Sequence, residues 1–230
     1  GRFFKSLTLH SKIVLISTAF LLIVGTALTL CFEYNNPLTL EGLPLSDKIQ
    51  AAFFQSVTTR TAGFASLPQE NLTNPTAILS LLLMFIGGSP VGTAGGIKTV
   101  TAAVLLSITV SLISGKNSVS VFGRTISKQS VYKAVAVTVM SFSVMFVSTL
   151  MLSAVTNAPA LDILFETVSA TATVGLSRSL TGALNLLGKL IIIFTMYFGR
   201  VGPISIAIAF GGKNPSRNII KNPTEEISIG

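Results

Sequence analysis

The chain has 230 residues and a mass of 24.1 kDa; half of it is apolar, 10% is charged, and its mean hydropathy is +0.74. A soluble chain of this size is about one-quarter charged, so this one lacks the polar surface to coat a water-soluble globule. The formal charge of +8 invites a nucleic-acid reading. The basic residues are spread over connecting segments and form no interleaved face, so no nucleic acid is expected as a partner. A single cysteine, Cys31, excludes an internal disulfide framework and a cysteine-based metal cluster.

Charge-free stretches define the predicted elements. No charged residue lies between Lys12 and Glu33 or between Lys133 and Asp162; only Lys98 lies between Glu70 and Lys116, and only Arg200 between Lys189 and Lys213. About 20 apolar residues cross a bilayer, so blocks at about 13–33, 72–114, 134–157 and 186–211 predict an all-α membrane protein in contact with lipid. Alternate flanks carry Arg2, Lys5, Lys12, Lys116, Arg124, Lys128, Lys133, Lys213, Arg217 and Lys221 against Glu225 and Glu226. The positive-inside rule makes that side cytoplasmic, with both termini of this segment on it, in the cell membrane.

The first connection on the other side contains 49–57, following Pro44 and the candidate helix cap Ser46; the second contains 161–168, following Pro159. Each reads as a helix too short to span. Non-helical backbone at membrane depth is tolerated only where protein buries it or it lines a wet cavity, which predicts two re-entrant loops.

The two loops are alike. Phe54-Gln55-Ser56-Val57-Thr58-Thr59-Arg60-Thr61-Ala62-Gly63-Phe64 aligns with 165–176, with one extra residue in the second copy, and the shared core is T-x-T-[AV]-G-[FL]. The glycines are 112 residues apart. The chain thus divides into two parallel units, 1–115 and 116–230, each with helix, pore helix, filter strand and helix. Thr61, Ala62, Gly63 and Thr173, Val174, Gly175 are the candidate ion-filter residues. Main-chain carbonyls replace the water of a dehydrated K+ ion, glycine permits the dihedrals that aim them, and the short helices turn their partially negative ends toward the cation.

Between 72 and 114 an unbroken helix would exceed twice the bilayer thickness. Gly87, Gly88, Ser89, Pro90, Gly92, Thr93, Gly95 and Gly96 break it, and the break is expected to face the conduction path below the filter. The run ending in Lys98 is not a phosphate-binding loop, because Ile97 stands where glycine should precede the lysine; no nucleotide is expected on this chain. Arg200, with about ten uncharged residues on either side, reads as a functional intramembrane charge. Lys98 either sits at the inner mouth of the loop or snorkels to the cytoplasm. Arg60 and Glu166 are expected to form scaffolding ion pairs, since a cation at the axis would repel K+. His10 is assigned nothing.

Thr59-Arg60-Thr61-Ala62-Gly63-Phe64 and Ala172-Thr173-Val174-Gly175-Leu176-Ser177 resemble the third and fourth filter segments of the Ktr/Trk/HKT superfamily of potassium transporters, most closely its Ktr membrane subunit. The resemblance covers essentially the whole chain. It implies one half of a four-repeat pseudo-fourfold pore, with K+ as the transported ion and, in some relatives, coupling to Na+. It further implies that Arg200 holds the 87–96 loop as a gate and sets an electrostatic barrier. Homodimers of such subunits dock on a cytosolic nucleotide-binding regulatory ring, for which the basic 116–133 loop and the C-terminal tail are the candidate contacts. Two loops cannot close a four-sided ring, so the resemblance implies that an N-terminal half, or a second copy, supplies the rest; the opening Gly1 in place of Met fits the same expectation. The alternative is a secondary transporter with a midplane substrate site at the broken helix 87–96.

Overall fold

The first apolar block forms α1 (Leu9–Glu33), whose 25 residues span roughly 38 Å. Thr8 starts it by accepting the Ser11 N–H at 3.2 Å. The structure, a computed structural model, describes residues 6–90, 94–115 and 118–202. Helix α2 (Leu45–Thr58) follows Pro44, which itself occupies the cap position. Ser46, expected to cap, lies inside the first turn and donates to Asp47; proline suits the helix start because it lacks an N–H. The 3-10 turn Gln69–Asn71 leads into α3 (Asn74–Phe85), which has proline in its first turn.

Helicity then stops at Phe85 and resumes in α4 (Thr99–Ile113). With 12 and 15 residues, each piece is shorter than a span; the interruption expected at 87–96 lies between them. Next come β1 (Ser120–Val121) and β2 (Arg124–Thr125), antiparallel, with Ser120 opposite Thr125. Phe122 and Gly123 both have positive φ, +50° and +73°, as a two-residue type I′ turn requires. This hairpin is the departure from an all-α fold.

The remaining described elements are α5 (Lys128–Val155), α6 (Ala160–Thr171), α7 (Leu180–Ala183) and α8 (Leu186–Val201). Asn185 caps α8 by accepting the Gly188 N–H at 2.8 Å. Helix α8 ends at Gly202, φ +83°, and the continuation expected to 211 lies outside the described residues. Helices α1 and α5 are long and apolar enough to cross a membrane. Their outward faces, with those of α4 and α8, carry Phe20, Ile23, Leu106, Ile113, Phe142 and Phe194 exposed. A surface that apolar is stable against lipid, not against water.

Helix α1 packs on α2, α3 and α4, while α5, α6 and α8 pack on one another; α3 against α6 and α4 against α5 join the two groups. Gly25 permits the first approach, since a Cβ there would strike Ser56 Oγ and lie 3.0 Å from Leu83 Cδ1. At the centre, Met84, Phe165, Val168, Ala172, Val174 and Leu176 form a buried cluster. A second cluster, with Leu152, Ile163, Ala170 and Ile192, backs α6 against α5 and α8. Helix α6 therefore sits among α3, α5 and α8, whereas α2 packs on α1 and leaves Leu45, Ile49, Phe53 and Phe54 exposed.

Candidate functional site

Each short helix ends in a clasp. Thr58 Oγ1 accepts the Phe64 N–H at 2.8 Å and donates to the Phe64 carbonyl at 2.6 Å, while the Thr58 carbonyl accepts the N–H groups of Ala62 and Gly63. In the second copy, Ser169 Oγ accepts the Gly175 N–H at 3.2 Å and the Ser169 carbonyl accepts from Val174 at 2.9 Å. These local bonds reverse the chain after the helix without a partner strand, and they account for many of the backbone donors that a non-helical stretch leaves over.

Within both clasps the left-handed region is occupied at alternate residues: Thr61 (φ +71°) and Gly63 (φ +77°), then Thr173 (φ +52°) and Gly175 (φ +93°). For a β-branched threonine this conformation is an outlier, costing of order 1–3 kcal/mol and persisting only where the surroundings over-determine it. The structure brings the two segments together. A Cβ on Gly63 would collide with the Val174 carbonyl oxygen, and the same point lies 3.9 Å from Gly175 Cα. Around Gly175 a Cβ would meet nothing within 4 Å. Thr173, Val174, Gly175, Glu166 and Ser177 line a cavity of about 240 Å³ on that open side.

The interruption between α3 and α4 lies against these segments. Its neck is closed by Gly87 N–H to the Ile97 carbonyl at 2.9 Å and Ile97 N–H to the Phe85 carbonyl at 3.1 Å. Gly95 is pressed onto the second segment: a Cβ there would strike Thr173 Oγ1 and the Ala172 carbonyl oxygen. Gly96 (φ +67°) lies close to the Phe85 carbonyl, 2.8 Å from where its Cβ would stand. Ser89 and Pro90 are half-buried beside Gly87 and Gly88. Gly92 and Thr93 lie outside the described residues.

Three cations border this loop. Arg60 donates from Nη2 to the Gly87 carbonyl at 3.5 Å, and its Nε is buried without a hydrogen-bond partner among the described residues. Lys98 caps α4 and donates back to the Ala94 carbonyl, which draws its head into the loop. Arg200 lies in the last turn of the described part of α8, with its side chain exposed. The neighbouring Gly199 seats α8 on the end of α6, where a Cβ would strike the Thr171 carbonyl.

The ion pairs expected at Arg60 and Glu166 take another form. Arg60 bonds a main-chain carbonyl, and Glu166 accepts from Ser177 Oγ at 2.7 Å and from Thr181 Oγ1. Sequence reasoning missed two polar hubs. Glu33, fully buried at the end of α1, accepts from Asn36 and Thr39 at 2.6 Å each, and from the Thr73 N–H and hydroxyl at 2.9 and 2.7 Å. Its charge thereby meets the positive end of α3. Arg178 bridges to Asp162 at 2.7 Å and reaches the carbonyls of Gln69, Glu70 and Leu72. The one local signal was a charge set directly at the edge of an apolar block or filter segment; besides nearer partners, Glu33 reaches Thr73, 40 residues away, and Arg178 reaches carbonyls more than 100 residues away.

Residues 2–222 match the TrkH family, described as "Cation transport protein". The "Ktr system potassium uptake protein B" of Bacillus subtilis (strain 168) is 40% identical over the whole chain, which covers 51% of that protein. The protein of the same name from Vibrio alginolyticus is 38% identical, with 99% of this chain and 50% of that one covered. The "Potassium/sodium uptake protein NtpJ" of Enterococcus hirae is 39% identical, with 98% and 51% covered. The crystal structure of the potassium transporter TrkH from Vibrio parahaemolyticus superposes with a TM-score of 0.69 at 21% identity, over 86% of this chain and 43% of that one, and so shares the fold. The chain spans about half the length of the curated relatives it matches. It belongs to the TrkH family of cation transport proteins, a family of membrane transporters.

Proposed function

We propose that this chain supplies two of the four pore-loop segments of a potassium-uptake membrane subunit. K+ passes through oxygens contributed by Thr61, Ala62, Gly63, Thr173, Val174 and Gly175. The observation that carries this reading is the contact of Gly63 with the Val174 carbonyl, between two segments that share left-handed backbone at threonine and glycine. Strained backbone at the C-terminal ends of two short helices suits a site where a cation exchanges water for carbonyl oxygens. The names of the relatives point to the same ion, with Na+ alongside K+ for one of them.

In this reading the segment 87–96 is the gate. Gly95 against Ala172 and Thr173 supports it, with Arg200 as the residue that holds the loop. Arg60 on the Gly87 carbonyl adds a hold that the sequence did not suggest. The units 1–115 and 116–230 are the two pore-loop repeats, with both termini cytoplasmic. The other half of the ring comes from the rest of a longer subunit or from a second copy. Whole subunits pair as homodimers on a cytosolic regulatory ring that carries the nucleotide, touching it through the 116–133 loop with its hairpin, and through the tail.

Rubidium uptake into bacteria lacking their own K+ uptake, with Na+ as competitor, tests the proposal with the chain expressed as its gene encodes it. K+-competed Rb+ uptake is the expected result. Saturable uptake of an organic solute would instead support a midplane site in the broken helix, and absence of flux in every pairing would overturn both.

A further inference from the structure

Two polar ties meet just beyond the second filter segment, at adjacent residues. Ser177 bonds Glu166 of α6, and Arg178 bonds Asp162 of the same helix, so both fasten the segment to the helix that precedes it. Arg178 also leaves its own unit. From Nη1 it donates to the carbonyls of Gln69 at 3.0 Å and Leu72 at 3.3 Å, and from Nη2 to that of Glu70 at 3.3 Å. That turn follows the first filter segment. Gln69 continues the chain of bonds: its side-chain amide pairs reciprocally with that of Gln55 at 2.8 and 3.0 Å, and both residues are almost fully buried. Gln55 lies on α2, one turn before Thr58, the anchor of the first clasp. An unbroken polar path thus runs from α6 through Asp162, Arg178, Gln69 and Gln55 to α2.

We propose that Arg178 is a positioning residue for ion selectivity, setting the distance between the two filter segments through the 69–72 turn and the Gln55–Gln69 pair. The inference rests on the filter reading above. A guanidinium suits the task because its planar fork holds several acceptors at fixed angles, whereas a lysine is a single point donor on a flexible stem. Its charge is not presented to an approaching cation: Asp162 neutralises it, three carbonyls occupy its donors, and its side chain is only 11% exposed. Selectivity depends on oxygen spacing and field, so a small drift of one segment changes the preference between ions more than it changes passage itself.

The test compares Arg178→Lys, Gln69→Leu and their double variant, each expressed as the gene encodes it. Gln69→Leu cuts the link to α2 but leaves the carbonyls that Arg178 uses. The readouts are Na+ competition against Rb+ uptake, and the K+ and Na+ concentrations that half-maximally raise the thermal midpoint in detergent. Arg178→Lys is expected to lower the K+/Na+ ratio about tenfold, Gln69→Leu to lower it less, and the double variant to match Arg178→Lys, because both cut one path. Lys189→Gln, which removes an exposed charge on α8, should leave the ratio unchanged. A wild-type ratio in Arg178→Lys overturns the inference; where that variant fails to accumulate, a wild-type ratio in Gln69→Leu does so. If the unaltered protein shows neither Rb+ uptake nor preferential stabilisation by K+, the filter reading itself fails and the inference with it.

Discussion

Replacing Gly63 by alanine separates two costs that the two filter glycines do not share. Both have positive φ, +77° and +93°, and an L-residue there costs about 1–2 kcal/mol. Only Gly63 faces a second cost, because its Cβ would overlap the Val174 carbonyl oxygen, whereas the Cβ of an alanine at 175 would enter open space. Overpacking of this kind costs about 1–3 kcal/mol. Gly63→Ala should therefore lose about 2–5 kcal/mol and Gly175→Ala about 1–2 kcal/mol. The difference corresponds to roughly 5- to 150-fold in an equilibrium. Thermal unfolding of the purified chain in detergent, followed by Rb+ uptake at graded concentrations, gives both readings. If alanine at 63 is no more damaging than alanine at 175, the two segments do not touch as described and the argument for a shared ion site loses its basis.

Glu33→Gln keeps the shape but removes the charge that Asn36, Thr39 and Thr73 all donate to, and it turns an amide N–H toward one pair of donors. It should destabilise the chain by about 2–4 kcal/mol, seen as a lower thermal midpoint in detergent with the K+/Na+ ratio unaltered. Gly95→Ala forces a methyl group into Thr173 Oγ1 and the Ala172 carbonyl, so the loop must lift away from the filter; Rb+ flux should rise by severalfold while selectivity falls. Arg200→Ala removes the cation in the last described turn of α8 and should raise Rb+ flux. Unchanged flux in a protein that reaches the membrane normally would count against an electrostatic barrier there.

How far the sequence could be read depended on the range over which the information is spread. Helices α1 and α5 were visible because charge is absent over whole spans, and the break after Phe85 because glycine and proline concentrate there. The paired segments were visible because the same short pattern recurs. The hairpin at 120–125 was not, since strands of two residues have no alternation to detect. Arg200 stood out because uncharged residues flank it on both sides, and α8 reaches Gly202 just beyond it. The hubs at Glu33 and Arg178 escaped for a different reason. Each also draws on groups far along the chain, and the main-chain carbonyls that Arg178 uses leave no mark on composition.

The extra residue in the second copy has a physical consequence that alignment alone hides. Measured from the anchoring hydroxyls, the clasps are equivalent: Thr58 takes the N–H six residues on, at Phe64, and Ser169 takes the N–H six residues on, at Gly175. Measured by left-handed backbone, they are offset by one, since the left-handed glycine precedes the closing residue in the first copy and is the closing residue in the second. The two units therefore hold glycine at the same place by different bonds, Gly63 N–H going to the Thr58 carbonyl and Gly175 N–H to the Ser169 hydroxyl. Two identical segments could not do this, whereas these two differ in sequence and in length by one residue. What both copies share is the left-handed pair at threonine and glycine, so the demand common to both is on backbone direction there, with the means of holding it free to differ.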